Sequence, residues 1–225
     1  MSKIKKIQPV ISYFGSKFRM IDTIFSLLEL KNNDNFLDLF GGSGIVGINA
    51  SKIIGCNTFL NDFDNIFPLK LKYALKNILS FEGNMKNYTL SRLNYFIKRL
   101  DNGWLDKLNF YNKQLTKLNL IHKDFNNIDV EFIKNNKINK IYVDPPYFGV
   151  KKLYKSSFDT KQHINLFLKL EKLKKITKIV VSYNDCKFIR SLYKDWKIIE
   201  FKKTNHSGVS KTKKIVTELL ITNGI

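Results

Sequence analysis

The 225-residue chain predicts an α/β fold, a doubly wound and mostly parallel sheet of seven strands, on three observations. Short β-branched or aromatic runs alternate with longer amphipathic segments, the rhythm of a sheet covered by helices on both faces. A glycine-rich turn, "GGSG", follows the first apolar run and opens a helix. An acidic residue, Asp62, closes the second run. The last two features place a ligand-binding turn at the carboxyl ends of neighbouring strands, where open α/β sheets hold their ligands.

In chain order, the strand candidates are residues 35–39, 58–61, 118–121, 140–143, 178–183, 196–202 and 217–222, short runs dominated by apolar side chains. Residues 18–28, 45–54, 67–79 and 161–173 carry apolar side chains at helical spacing. In the last of these, "KQHINLFLKLEKL", Ile164, Phe167, Leu168 and Leu170 fall on or near one face and are read as ordinary core packing. His163 is read as a helix-terminal surface residue, neither ligand nor base. One region breaks the rhythm. Residues 81–114, "FEGNMKNYTLSRLNYFIKRLDNGWLDKLNFYNKQ", are polar and basic with interleaved aromatics, and a simple crossover needs far fewer residues. They are read as an insertion into a single catalytic domain made of residues 1–80 and 115–225. Two accounts of the insertion stand: a helical excursion packed on the sheet edge, or a lobe in which Arg92, Lys98 and Arg99 touch phosphates while aromatics touch bases.

Composition bounds the partners. Hydrophobic residues make up 44% of the chain, enough for one core, and two independent domains are not expected. Lysine and arginine number 39 against 19 acidic residues, a formal charge of +20 that favours a polyanionic partner. Only Arg19, Arg92, Arg99 and Arg190 are arginine, and the wealth of Lys, Asn, Ile and Phe is what AT-rich coding produces. A generally basic surface is therefore the competing account of the charge. Cys56 and Cys186 are too few for a disulfide framework and show no metal-ligand spacing, so no metal is expected. The first residues lack a leader's apolar core, and no run of about 18 apolar residues occurs, so a soluble cytoplasmic protein without a membrane partner is expected.

The chemistry lies in two stretches. In "FLDLFGGSGIVGINA" (36–50), Gly42, Gly44 and Gly47 spell G-x-G-x-x-G. The turn itself runs from Asp38 to Gly44, while Gly47 falls inside the following helix and serves packing. Asp62 can accept hydrogen bonds from ribose hydroxyls, so turn and carboxylate together read as a site for an adenosine-containing cofactor without saying which. The deciding stretch is "KIYVDPPYFG" (140–149). A strand delivers Asp144, next in sheet order to the glycine turn; Pro145 and Pro146 then fix the backbone and remove two amide donors, and Tyr147 follows. An exocyclic amine on a nucleobase is a poor nucleophile because its lone pair is delocalised into the ring. A carboxylate and the Pro145 carbonyl, each accepting one N–H, localise that lone pair and aim it. Tyr147 stacks on the base, which must first leave the helix.

These residues resemble a DNA adenine methyltransferase of the Dam type, the D12 class of N6-adenine enzymes using S-adenosyl-L-methionine. The resemblance runs nearly end to end: "SYFGSK" (12–17), "FLDLFGGSG" (36–44), "FLNDFD" (59–64), "IHKDF" (121–125), "VDPPY" (143–147), "VVSYND" (180–185) and "KKIVTELLITN" (213–223) stand in the family's order. It implies a Rossmann-like class I methyltransferase fold and site-specific methylation of adenine N6 in double-stranded DNA. It also implies that Tyr13 and Lys17 contact the methionine part of the cofactor, Lys17 through the cofactor's carboxylate. Asp38, Phe40, Gly41 and Gly44 form the cofactor turn, Asp62 binds the ribose, and Asp124 and Phe125 flank the adenine ring, with a loop cap as the other reading of Asp124. Asp144, Pro145, Pro146 and Tyr147 hold the target amine beside the methyl donor, and Phe158 shapes the target pocket or packs in the core. Lys211, Lys213 and Lys214, in "TNHSGVSKTKK" (204–214), contact DNA phosphates or stay solvated. A monomer is expected.

Two departures from the family stand out. Residues 81–114 lack its longer aromatic and glycine-rich recognition loop, so no target sequence carries over, and Tyr13 stands where many relatives have Trp. Of the rival readings, a nicotinamide oxidoreductase leaves "SYFGSK" and "DPPY" without a role. A cytosine-N4 enzyme usually has Ser in place of Asp144, and a 5-methylcytosine enzyme needs a Cys beside Pro, which neither Cys56 nor Cys186 provides. RNA adenine-N6 methylation, and a non-catalytic DNA-binding protein with a decayed site, complete the alternatives.

Overall fold

Each of the seven apolar runs forms a strand. In a computed structural model that describes residues 5–10, 16–63, 90–149, 158–205 and 214–224, they are β1 (Asn35–Asp38), β2 (Asn57–Asn61), β3 (Asn119–Ile121), β4 (Lys140–Val143), β5 (Lys178–Asn184), β6 (Lys197–Asn205) and β7 (Lys214–Thr222). They join one sheet in the order β3-β2-β1-β4-β5-β7-β6. The β1–β2, β1–β4, β2–β3 and β4–β5 pairs are parallel, while β7 runs antiparallel to both β5 and β6. The architecture is α/β, as expected. The order has two consequences for a site. It puts β4 directly beside β1, so the Asp-Pro-Pro-Tyr segment leaves the sheet next to the glycine turn. It also drives the last strand into the sheet between β5 and β6.

Burial on both faces explains the near-continuous apolar strands. On one face Phe36, Leu60, Tyr142, Val180 and Leu220 join Ile21, Ile24 and Leu28 of α1 (Ile21–Leu28) and Ile45 and Ile48 of α2 (Ile45–Asn49). The opposite face gathers Leu37, Phe59, Ile141, Val143, Val181, Leu219 and Ile221, alternating with the first set along each strand. A single turn of wider helix, Ala50–Ile54, continues α2 to a stop at Gly55, whose φ of 86° ends it. The predicted helix at 67–79 lies outside the described residues.

The described part of the 81–114 insertion is two helices, α3 (Leu90–Asp101) and α4 (Trp104–Leu115), joined through Gly103. α4 is a core helix: Trp104, Leu108, Tyr111 and Leu115 are all buried in the first cluster. Trp104 donates its indole N–H to the Val10 carbonyl at 2.9 Å, and Tyr111 donates its hydroxyl to the Ser43 carbonyl at 3.0 Å. Packing therefore continues unbroken from α4 into the rest of the chain. α3 turns Tyr95, Ile97 and Leu100 outward.

Two further short helices, α5 (Val130–Asn135) and α7 (Lys187–Leu192), flank α6 (Thr160–Leu173) in the chain. α6 starts with a capping box, Asp159 accepting from the Gln162 backbone and the Gln162 side chain from that of Asp159. Its phase corrects the sequence reading. The buried stripe is His163, Leu166, Leu170 and Leu173, whereas Ile164 and Leu168 face solvent. His163 is accordingly a buried residue and not a surface one. An imidazole packs as an aromatic ring: it lies 4.7 Å from the Phe158 centroid and 5.4 Å from that of Phe148. Nδ1 meets the Tyr183 hydroxyl at 2.8 Å, and burial pushes the ring's pKa down to about 4, so it is neutral near pH 7.

Candidate active site

The glycine turn is built by close approach. A Cβ on Gly41 would sit 2.3 Å from Leu60 Cδ1 and 3.1 Å from the Asn61 carbonyl, so any larger residue would have to push the Leu60 side chain aside. The Gly41 N–H donates to that same carbonyl at 2.7 Å, and Gly44, at φ 79°, starts α2. Gly47 belongs to the helix. It presses on Leu60 and Thr58, and its N–H donates to Asp38 Oδ2 at 3.1 Å. Asp62 accepts the Gly42 N–H at 2.7 Å, tying the end of β2 to the turn. Asn61, which the sequence reading passed over, links three loops: its side-chain amide donates to the Leu39 and Lys123 carbonyls and its oxygen accepts the Lys123 N–H.

Beyond β3, Asp124 accepts the Asn126 N–H at 2.8 Å and starts a one-turn 3-10 helix, the loop-capping alternative for this residue. Phe125 is buried and tilts against Phe40, with centroids 5.6 Å apart, while Phe158 closes the group at 5.5 Å from Phe125 and 6.0 Å from Phe40. Three aromatic rings thus stand beside the turn.

At the end of β4 the side chains are held by one another. Lys17, only 3% exposed, donates to Asp144 Oδ2 at 2.7 Å and lies 3.3 Å from Glu218 Oε1. Burial alone would lower the Lys17 pKa, but the two carboxylates outweigh it and hold it raised, so the ammonium is charged. The Tyr147 hydroxyl donates to Glu218, and the Lys17 ammonium lies 5.1 Å from the centre of the Tyr147 ring. Burial and the carboxylates of Asp144 and Glu218 push the phenol pKa well up, so it stays protonated. Next to this group, Tyr142 and Ser182 share a hydrogen bond of 2.6 Å.

Asp38, Asp62 and Asp144 converge electrostatically. Burial, then the nearby Asp144, and more weakly Asp62 push the Asp38 carboxyl up to about 8, against the opposing Gly47 N–H. Such a cluster favours a cationic ligand. The sulfonium and α-ammonium of S-adenosyl-L-methionine meet that requirement.

The structure therefore brings Lys17, Asp38, Phe40, Gly41, Gly44, Asp62, Asp124, Phe125, Asp144, Pro145, Pro146 and Tyr147 to the loops around one edge of the sheet. Lys98 and Arg99 lie on α3, where Arg99 is partly engaged by the Val10 carbonyl at 3.3 Å and the Tyr95 hydroxyl at 3.0 Å. Tyr13, Lys211 and Lys213 lie outside the described residues. Arg92 and Lys214 belong to α3 and β7, but their side chains lie outside the described set. Among the described residues no group of His, Cys, Asp and Glu could hold a metal ion, and no helix is long and apolar enough to cross a membrane. Glu218 is the functional candidate that sequence reasoning missed.

Comparison with known proteins identifies a family and a fold. Residues 13–98 and 67–206 match the model of the D12 class N6 adenine-specific DNA methyltransferase family. Among solved structures, the fold is similar to a SAM-dependent methyltransferase from Agrobacterium tumefaciens (TM-score 0.53, 13% identity, covering 95% of this chain and 64% of that one). It is also similar to the human methyltransferase 10 domain containing protein (0.51, 11%, 94% and 84%) and to the METTL16 methyltransferase domain (0.51, 11%, 94% and 69%). At such identities the likeness concerns the fold. No curated protein sequence gives a match.

Proposed function

Because the chain belongs to the D12 class N6 adenine-specific DNA methyltransferase family, and is therefore a methyltransferase using S-adenosyl-L-methionine, we propose that it methylates the N6 amino group of adenine in duplex DNA. The observation that carries this reading is the placement of Asp144, Pro145 and Tyr147 at the end of β4, directly beside the β1 turn. S-adenosyl-L-methionine, when bound, supplies a methyl group already activated by its sulfonium.

The chain's own residues do the rest. The glycine turn and the Asp38 and Asp62 carboxylates bind the cofactor, and Phe40 and Phe125 flank its adenine. Tyr147 stacks on the extruded target base. Asp144 and the Pro145 carbonyl each accept one N–H of the target amine, which concentrates the nitrogen lone pair and points it at the methyl. Such alignment is worth about 7 to 11 kcal/mol, and it asks for no metal and no covalent enzyme intermediate. Asp144, where cytosine-N4 enzymes usually carry Ser, favours adenine. The basic surface, +20 in formal charge, supports a duplex phosphate partner. The outward face of α3, with Lys98 beside exposed Tyr95 and Ile97, serves as part of the DNA-recognition surface.

Incubation of unmethylated genomic DNA with the protein and cofactor, followed by single-molecule sequencing, tests the proposal. N6-methyladenine in a definable sequence context is the expected result; modified cytosine, or unmodified DNA from protein that binds the cofactor, would refute it.

A further inference from the structure

Glu218 is 1% exposed, on a strand where the residues two positions away on either side, Val216 and Leu220, are apolar. A leucine or methionine would fill this position with no desolvation cost, whereas a carboxylate there must be compensated. Topology explains how it is. β7 enters antiparallel between β5 and β6, which sets Glu218 opposite Asn184, the last residue of β5. On the other side of β5 lies β4, whose chain continues into Asp144. The last strand thereby carries a carboxylate to the same edge as the Asp-Pro-Pro-Tyr segment, although it comes from 71 residues beyond Tyr147.

Two donors compensate it there. The Tyr147 hydroxyl donates to Oε1, and the Lys17 ammonium stands 3.3 Å from the same atom while it donates to Asp144. Each contact bears on a group the proposed reaction uses. A phenol anchored at its hydroxyl cannot swing about its side-chain torsions, so the face offered to the base is set. A second carboxylate beside Lys17 draws the ammonium part of the way from Asp144 Oδ2. Without it the attraction of the buried ammonium to Asp144 strengthens, and the target amine must compete harder for that oxygen.

On the reading given above, we propose that Glu218 is a positioning residue of the methyl transfer: its carboxylate orients Tyr147 and shares Lys17, and so keeps Asp144 available to the target amine. It acts through these neighbours and does not touch the reacting atoms.

The test compares wild type with Glu218→Leu, Glu218→Gln, Tyr147→Phe and the Glu218→Leu/Tyr147→Phe double variant. Cofactor dissociation constants and single-turnover methylation of duplex DNA are measured for each. Glu218→Leu removes the charge and the acceptor, and lowers the methylation rate about 10- to 100-fold, the scale of a small misplacement at a reacting centre. Glu218→Gln keeps an acceptor for the phenol and loses less, and it carries the test if the leucine variant fails to fold. Cofactor affinity changes far less than the methylation rate in the variants. Because Glu218 works partly through the Tyr147 hydroxyl, the double variant loses less than the product of its two single losses. Wild-type rates in both Glu218 variants, or losses that multiply fully, would overturn the inference. Wild-type protein that binds cofactor and leaves DNA adenine unmodified would instead overturn the function from which it starts.

Discussion

Two acidic pairs at the same end of the sheet solve the same electrostatic problem in opposite ways. At the ends of β1 and β2, Asp38 and Asp62 accept hydrogen bonds from the backbone of the glycine segment, through Gly47 and Gly42. At the end of β4 and the middle of β7, Asp144 and Glu218 are met by side chains, Lys17 and Tyr147. Backbone amides cannot leave, so the first arrangement is a fixed acidic cradle, in which a bound cation would favour the ionised form of Asp38 that burial disfavours. Side chains can rotate and exchange partners, so the second suits a step in which a substrate amine must replace one hydrogen-bond donor by another. On the proposed function, the difference assigns binding to one group and chemistry to the other within one row of strand ends.

The sharpest way to break that separation is at Asp144. Asp144→Ala is expected to lower methylation by at least about 1,000-fold, on the scale of removing one preorganised polar group from a catalytic site. Cofactor affinity, measured by titration calorimetry, should be largely spared. A parallel loss of affinity and turnover would show that the two pairs are one device.

On the binding side, Gly41→Ala places a methyl group 2.3 Å from Leu60 Cδ1. It is expected to cost about 1 to 3 kcal/mol of stability by overpacking, and to weaken cofactor binding because the turn must move. Chemical denaturation and calorimetry read both effects.

His163→Leu probes the corrected helix phase. Losing the partner of the buried Tyr183 hydroxyl should cost about 1 to 3 kcal/mol, seen as a lower urea midpoint, whereas a surface residue would stay within about 0.5 kcal/mol of wild type.

Asp38 gives the cradle a pH signature. Its carboxyl ionises near 3.8 when unfolded and is pushed up to about 8 in the folded chain. Between these values the folded state holds the extra proton, so this group makes stability fall as pH rises from about 4 to 8. In thermal melts of cofactor-free protein, Asp38→Asn should therefore gain on wild type across that window and hold a constant advantage above it. An advantage that shrinks with rising pH would contradict the burial of an anion among anions.

The smallest expected effect lies on α3. Lys98→Ala should weaken DNA binding modestly and about equally for all sequences, lowering the salt slope by about 1.

Local pattern made much of this legible. β4 falls at the expected residues, 140–143, because a buried parallel strand is a bare apolar run closed by prolines. Gly47 sits in the helix and not in the turn, as its place after the glycine run implies. What stayed hidden depended on partners far along the chain. Glu218 looks from sequence like the outward residue of a terminal strand, and only the insertion of β7 between β5 and β6 buries it. His163, next to the N-terminus of α6, reads as a helix-terminal surface residue, and the face of Ile164, Phe167, Leu168 and Leu170 reads as inward, whereas the sheet beneath receives the stripe of His163, Leu166, Leu170 and Leu173. Asn61 is an ordinary strand-end residue until β1 and β3 flank it and offer their loop carbonyls. Tyr111, the tether of the Ser43 carbonyl, lies in the segment read either as a packed helical excursion or as a nucleic-acid lobe, and nothing in its sequence singles this tyrosine out.

The central claim is that the β4 end presents Asp144, Pro145 and Tyr147 to the amino group of an adenine in DNA. Its most direct measurement offers the protein duplex DNA and RNA of the same sequence together, with cofactor carrying a deuterated methyl group, and digests the products to nucleosides for mass spectrometry. The account predicts label in N6-methyl-2′-deoxyadenosine, and none from the Asp144→Ala variant. Label in adenosine of the RNA, in N4-methylcytosine, or persisting undiminished in Asp144→Ala would contradict it.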